Sequence, residues 1–289
     1  MTTLTAEQIE AFHRDGVVVA ENAVTPDQLA GLRAAFDGWL EESRGHERNY
    51  GEMLDGRPRF DLQIPGHSAE TPQLRRVNAP TDIAEAYLDA VTNSRIADMV
   101  ADLIGPNVKF HHSKINAKLP GTHTAVKWHQ DFPFTPHSND DLVTALLALD
   151  EVDATNGPLI AAPGSHQEAI ATLWHDGAFT GAAGAAESAA WESRARSFPM
   201  PAGSVCLMHT RVGHSSAPNL GDRPRRLFIA VYAAEDAVAL SPNPLPSTHE
   251  GMIVRGERTG RVRSLPFDLQ LPQRPTTGSF FNQQVGFDG

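Results

Sequence analysis

An intramolecular disulfide is excluded at once, because the 289-residue chain has a single cysteine, Cys206. A reducing compartment fits that count. No stretch of Lys and Arg is dense enough to line a nucleic-acid groove, and the formal net charge is −11, so nucleic acid is not the expected partner. No apolar run approaches the ~20 residues of a membrane span. The first ten residues are polar and acidic, without the basic start, apolar run and small-residue cleavage site of a signal peptide. A cytoplasmic protein acting on small molecules, with neither nucleic acid nor membrane as partner, is the expectation. Internal repeats and a composition-marked linker are also missing, which predicts one domain over 1–289.

What the chain does contain falls into two halves. Thr5-Ala6-Glu7-Gln8 reads as a capping box opening a helix that ends at Gly16, followed by a short strand over 17–20. Thr25-Pro26-Asp27-Gln28 opens a second helix, with Leu29, Leu32, Phe36 and Leu40 as its apolar stripe. Residues 45–71 are polar and rich in Gly, Pro and His, and are predicted to be loop. Residues 80–104 carry helical spacing. After Gly105-Pro106 the period changes to two. Over 108–119, Lys114, Asn116 and Lys118 share one face, with Ile115, Ala117 and Leu119 on the other. Residues 142–152 form an apolar run suited to a strand buried on both faces. Residues 204–209 and 226–233 read as further strands. Strands joined by Pro- and Gly-rich turns, with no regular helices between, point to an antiparallel barrel or jelly roll with N-terminal helices outside it. Residues 177–193, dominated by Ala and Gly, are either a helix or an insert. Residues 241–289 read as a loop-rich tail.

Two fragments carry chemistry. One is Trp128-His129-Gln130-Asp131-Phe132; the other is Gly213-His214-Ser215-Ser216, with Arg225 eleven residues after His214. In a strand, residues two apart share a face, so His129 and Asp131 can reach one ion. Two imidazoles and a carboxylate cap one face of Fe(II) and leave other positions open. His209 is a rival to His214, although its apolar surroundings favour a packed role, and His166 reads as structural. Arg225 shares its face with Leu227, Ile229 and Val231, so its guanidinium points inward and needs an anion. An ion pair with Asp222 is the plain alternative, and Arg226 the alternative residue. The polar face of Lys114, Asn116 and Lys118 is either a wet site wall or solvent-exposed. Arg255, Arg258, Arg261 and Arg263 read as solvated charges of the tail. Phe132, Phe134, Trp174 and Trp191 are candidates to line an apolar pocket.

These stretches (5–40, 128–132, 156–166 and 203–232) resemble the phytanoyl-CoA dioxygenase (PhyH-like) family of Fe(II)/2-oxoglutarate dioxygenases. The resemblance implies a mainly β fold with flanking helices. Its double-stranded β-helix (jelly-roll, cupin-like) core would span about 105–235, between a helical part over 1–104 and the tail over 236–289. It implies His129, Asp131 and His214 as iron ligands, and Arg225 assisted by Ser216 as the site for the distal carboxylate of 2-oxoglutarate, with O2 as the oxidant. Lys114, Asn116 and Lys118 become candidates for substrate or co-substrate contacts. Two positions depart from the family pattern: Gly203-Ser204 stands where Gly-Asp is frequent, and Leu159 where Thr is frequent. The related halogenases lack the carboxylate that Asp131 supplies, so hydroxylation of a natural-product intermediate or modified amino acid is expected. A cupin-like enzyme that does not use 2-oxoglutarate, and an inactive binding module, are the alternatives.

Overall fold

The computed structural model describes residues 2–122, 124–273 and 284. Both N-terminal helices start where the sequence places their caps. The Thr5 hydroxyl accepts from the Gln8 N–H while Gln8 accepts from the Thr5 N–H, opening α1 (Ala6–Asp15). Gly16, at φ 77°, turns the chain into β1 (Val17–Ala20). Thr25 and Gln28 repeat the box for α2 (Pro26–Ser43).

Residues 45–71 are not simply loop. They contain β2 (Tyr50–Leu54) and β3 (Arg57–Leu62), followed by β4 (Leu74–Asn78). The expectation failed because one buried face of β3 is charged: Arg57, Arg59 and Asp61 alternate with Phe60 and Leu62. The 80–104 helical run is broken into α3 (Glu85–Thr92) and α4 (Arg95–Ile104), because Ser94 caps the second helix at the Ile96 N–H.

The remaining strands are β5 (Val108–Lys118), β6 (Val126–His129), β7 (Leu142–Ala148) and β8 (Leu159–Ala161). The short hairpin of β9 (Trp174–His175) and β10 (Ala178–Phe179) precedes α5 (Ala185–Glu192), so 177–193 holds a helix. Then come β11 (Arg196–Phe198), β12 (Val205–His209), β13 (His214–Ser216), β14 (Arg225–Ala234) and β15 (Ile253–Arg255). Thus the 241–289 tail contributes a strand, paired with β5; its residues 274–283 and 285–289 lie outside the described ones.

The larger sheet runs β1-β12-β7-β14-β5-β4-β3-β2, and the smaller β11-β8-β13-β6, antiparallel throughout. This is the double-stranded β-helix. Alternation divides the larger sheet's side chains. Ile115, Val143, Leu147, Leu207, Phe228 and Tyr232 pack outward in one core with Leu32, Phe36, Tyr87 and Val100 of the helices. Leu146, Met208, Leu227 and Ile229 face inward with Leu159 and Ala161 of the smaller sheet. Each such large side chain contributes about 1.5–3 kcal/mol by burial. The cavity opens on that inward face. Among the described residues no helix is long and apolar enough to cross a membrane.

Candidate active site

His129 and His214 are direct cross-strand partners between β6 and β13, which brings their ring centroids to 4.1 Å. Asp131 joins them by a different route from the one its spacing suggests. The strand stops at His129, and Asp131 sits in helical conformation (φ −75°, ψ −32°) ahead of a turn over Phe132–Phe134. Pro133 cannot continue the ladder, so the chain bends and swings the carboxylate back. The Asp131 Oδ1 atom lies 3.7 Å from His129 Nε2 and 3.8 Å from His214 Nε2. These distances are too long for hydrogen bonds, so the three atoms surround a common space.

The other ring nitrogens fix the tautomer. His129 Nδ1 donates to the Lys127 carbonyl (2.8 Å) and His214 Nδ1 to the Val212 carbonyl (3.0 Å), which leaves both Nε2 lone pairs pointing at Asp131. Thr144 donates to Asp131 Oδ2 at 2.7 Å. Burial and then the neighbouring His214 hold the His129 imidazole down to about 3, so it is neutral. Burial raises the Asp131 carboxyl, but His214, Lys114 and His129 outweigh it and keep the group ionised. Two imidazoles and a carboxylate, pre-oriented and converging, fit a divalent iron ion. This is the one group of three or more such side chains that could hold a metal among the described residues. His209 is not in it; its Nδ1 accepts from the Arg211 N–H. His166 lies by α1, its Nε2 3.2 Å from the His13 carbonyl.

Arg225 lies on the inward face with Leu227, Ile229 and Val231, and all four line the cavity. It has no ion pair with Asp222 or any other carboxylate among the described residues; Nε and Nη2 donate to the Gly157 carbonyl. Burial pushes its guanidinium down to about 10. Gly157 has to be glycine: φ is 81°, and a Cβ there would lie 2.5 Å from the Ala217 carbonyl oxygen and 3.1 Å from Lys118 Cδ. Arg226 faces the other way, paired with Asp150 and Asp37.

Lys118 is opposite Arg225 across β5 and β14. Its ammonium donates to Ser216 Oγ at 2.8 Å and to the Ala217 carbonyl. Burial, then Arg225, lowers it to about 6. Thus Arg225, Lys118 and Ser216 cluster, with apolar Leu159 beside them in the wall. Lys114 and Asn116 also line the cavity, so the polar face of β5 is a site wall. Of the aromatic candidates, Phe134 lines it, together with Phe179, which the sequence did not single out. Phe132 belongs to a satellite core, and Trp174 and Trp191 pack in another. In the tail, Arg255 pairs with Asp98, and Arg263 with Asp141 and Asp236. Arg57, Arg76 and Thr144 are wall residues that sequence reasoning missed. Thr144 had one visible signal: it is the only hydroxyl residue in the apolar run 142–149.

A jelly-roll cavity lined by a His–Asp–His cluster and by an arginine that has no carboxylate partner among the described residues defines a class, the non-haem iron oxygenases that use an organic acid co-substrate. Comparison with known proteins agrees. The sequence matches the phytanoyl-CoA dioxygenase (PhyH) family over residues 12–227, and the chain belongs to that family. It is 34% identical over 208 residues to a protein of Stutzerimonas stutzeri named "Probable alpha-ketoglutarate-dependent hypophosphite dioxygenase", covering 70% of this chain and 72% of that one. It is 25% identical over 272 residues to the ectoine dioxygenase of Nocardia farcinica, covering 84% and 82%. In fold it resembles the non-haem alpha-ketoglutarate-dependent carbocyclase SnoK from nogalamycin biosynthesis. That match has a TM-score of 0.65 at 20% identity and covers 88% of this chain and 95% of that one.

Proposed function

We propose that the chain is an Fe(II)- and 2-oxoglutarate-dependent oxygenase, one dioxygenase domain over 1–289, that hydroxylates an unactivated C–H bond of a small molecule. The observation that carries this reading is the convergence of His129, Asp131 and His214 in the same cavity as a buried Arg225 that has no carboxylate partner among the described residues. His129, Asp131 and His214 hold the iron. The far carboxylate of 2-oxoglutarate meets Arg225, with Lys118 and Ser216 beside it; Lys118 takes the part of the absent hydroxyl at Leu159. When bound, the iron with its keto acid supplies oxygen activation: one atom of O2 enters the C–H bond as a hydroxyl, the other enters succinate, and CO2 leaves.

The protein's own residues prepare that chemistry. The Lys127 and Val212 carbonyls retain the Nδ1 protons. Thr144 holds Asp131 Oδ2, which would leave Oδ1, the oxygen facing the two imidazoles, to meet the ion. Arg225 orients the co-substrate by a fork matched to a carboxylate. Leu146, Leu159, Leu227 and Ile229 make the inner wall apolar and exclude water. The relatives' named substrates, hypophosphite and ectoine, have little chemistry in common. The shared part is the oxidation, and the walls of each cavity set the substrate. A natural-product intermediate or a modified amino acid is the expected class here. A cytoplasmic enzyme, acting on a free metabolite rather than on nucleic acid or a membrane, fits the acidic net charge and the lone buried cysteine.

The test is an anaerobic titration of apoprotein with Fe(II) and then 2-oxoglutarate, followed by visible absorption. A weak charge-transfer band needing both additions, and lost in His129→Ala and Arg225→Ala, is expected. Iron binding without the band would favour a metal enzyme that does not use 2-oxoglutarate, and no iron binding an inactive module.

A further inference from the structure

Besides Arg225 and Lys118, the cavity holds a second set of cations that the 2-oxoglutarate contacts leave unused. Arg57 on β3, Arg76 on β4 and Lys114 on β5 all line it. The register pairs Arg76 with Asn116, and Lys114 is the next inward residue along β5. Asn116 therefore separates Lys114 from Lys118, and the two cationic sets are distinct. Among the described residues, five Lys and Arg side chains line the wall against two carboxylates, Asp55 and Asp131, and the second is committed to the metal. The inversion is sharp in a chain whose net charge is −11.

Lys114 makes no ion pair or hydrogen bond among the described residues. The buried Arg57 donates to the Pro244 carbonyl, and its Nε has no partner. Nor does His112 Nδ1, buried one inward step past Lys114, nor Asn116 Oδ1. The set is mutually repulsive. Lys114 is pushed down to about 8 by burial and then by Arg76, and Arg76 to about 9 by burial and then by Arg57. Arg57 and Lys114 make no ion pair among the described residues, and burying such cations costs stability that an incoming anion would offset. Asp131, His129 and His214 line the same cavity as Arg57, Arg76 and Lys114, so that anion would share the cavity with the metal cluster.

We propose that Arg57, Arg76 and Lys114 bind the primary substrate through a doubly charged tetrahedral oxyanion of the phosphonate class, on a short molecule whose oxidised carbon is close to that head group. This deepens, and rests on, the oxygenase reading. A carboxylate is satisfied by one guanidinium fork; three cations from three strands suit three oxygens presented in different directions.

The probe is ethylphosphonate, titrated calorimetrically into the anaerobic Fe(II)–2-oxoglutarate enzyme, with propionate and 1-propanol as the planar and neutral counterparts. Ethylphosphonate is expected to bind at one per chain, at least tenfold tighter than either. Arg57→Met and Lys114→Met weaken it tenfold or more, Lys114→Arg recovers most of the loss, and 2-oxoglutarate affinity shifts less than twofold in Arg57→Met. Equal binding of 1-propanol, stronger binding of propionate, or displacement of 2-oxoglutarate by ethylphosphonate would overturn the proposal. If a variant fails to fold, the wild-type ranking of the three probes decides. A protein that shows no 2-oxoglutarate band but still binds ethylphosphonate through Arg57 and Lys114 would sink the oxygenase reading and leave the anion site standing.

Discussion

A single hydroxyl, Thr144 Oγ1, decides which oxygen of Asp131 faces the two imidazoles. Thr144→Val keeps the shape and removes that bond. The expected result is a 10–100-fold loss of Fe(II) affinity, read by anaerobic metal titration, with the thermal midpoint little changed; an unaltered affinity would sink the assignment. Lys118 gives the opposite lesson, because its contribution to binding costs stability. Its folded value, about 6, lies below the ordinary 10.5. Between those values the unfolded chain holds more protons, so the stability tied to Lys118 rises with pH across that window, and its burial cost is fully felt below about pH 6. Lys118→Met should therefore stabilise the apoprotein at pH 6 by about 1–3 kcal/mol, less at pH 9, while weakening 2-oxoglutarate binding. Denaturant melts at the two pH values check this, and equal gains at both would contradict it. The candidate ligands were legible because two short motifs hold them. Thr144, Arg57 and Arg76 were not, since each acts through residues remote in sequence.

Among the elements, legibility followed the chemistry of the faces. The two capping boxes and the β5 alternation could be read directly, because local hydrogen bonds and a period of two are written in adjacent residues. The strands over 50–62 were hidden because Arg57, Arg59 and Asp61 occupy buried positions where apolar residues are expected. Position 131 was legible as a candidate ligand, but its route was misread: a turn before Pro133, not strand alternation, delivers the carboxylate. Since α2 packs on the outer face of the larger sheet, away from the cavity, its cap should matter for folding alone. Thr25→Ala is expected to cost about 1 kcal/mol, visible as a lower urea midpoint, with unchanged affinity for 2-oxoglutarate. A change in that affinity would mean that the helix layer communicates with the site.

On the scale of the whole molecule, charge is divided by depth. The chain as a whole carries a net −11, while the cavity wall is basic. A dianion approaching from solution meets repulsion first and attraction only inside. Salt screens the long-range part and hardly reaches a buried wall. The association rate of 2-oxoglutarate should therefore stay level or rise as salt increases toward physiological strength. Stopped-flow measurement would decide; a steep fall would mean that the cavity's positive field extends past its mouth. The jelly roll itself was legible from the order of strands and turns, since antiparallel neighbours need only short connections. The charge division was not, because composition averages over depth.

Met208 has a consequence for how this protein ages. Its thioether lines the cavity from β12, while the Cys206 thiol, two residues earlier, is buried and pushed up to about 12. When oxidising power is generated with no substrate in place, the sulfur that lines the same cavity among the described residues is that of Met208, and sulfoxide formation would put a polar group into an apolar wall. Idle turnover thus leaves a record in the wall itself. Peptide mass spectrometry after incubation with iron, 2-oxoglutarate and air, without substrate, should find one added oxygen at Met208 and none at Cys206. The true substrate would then be recognisable as the compound that keeps the methionine intact.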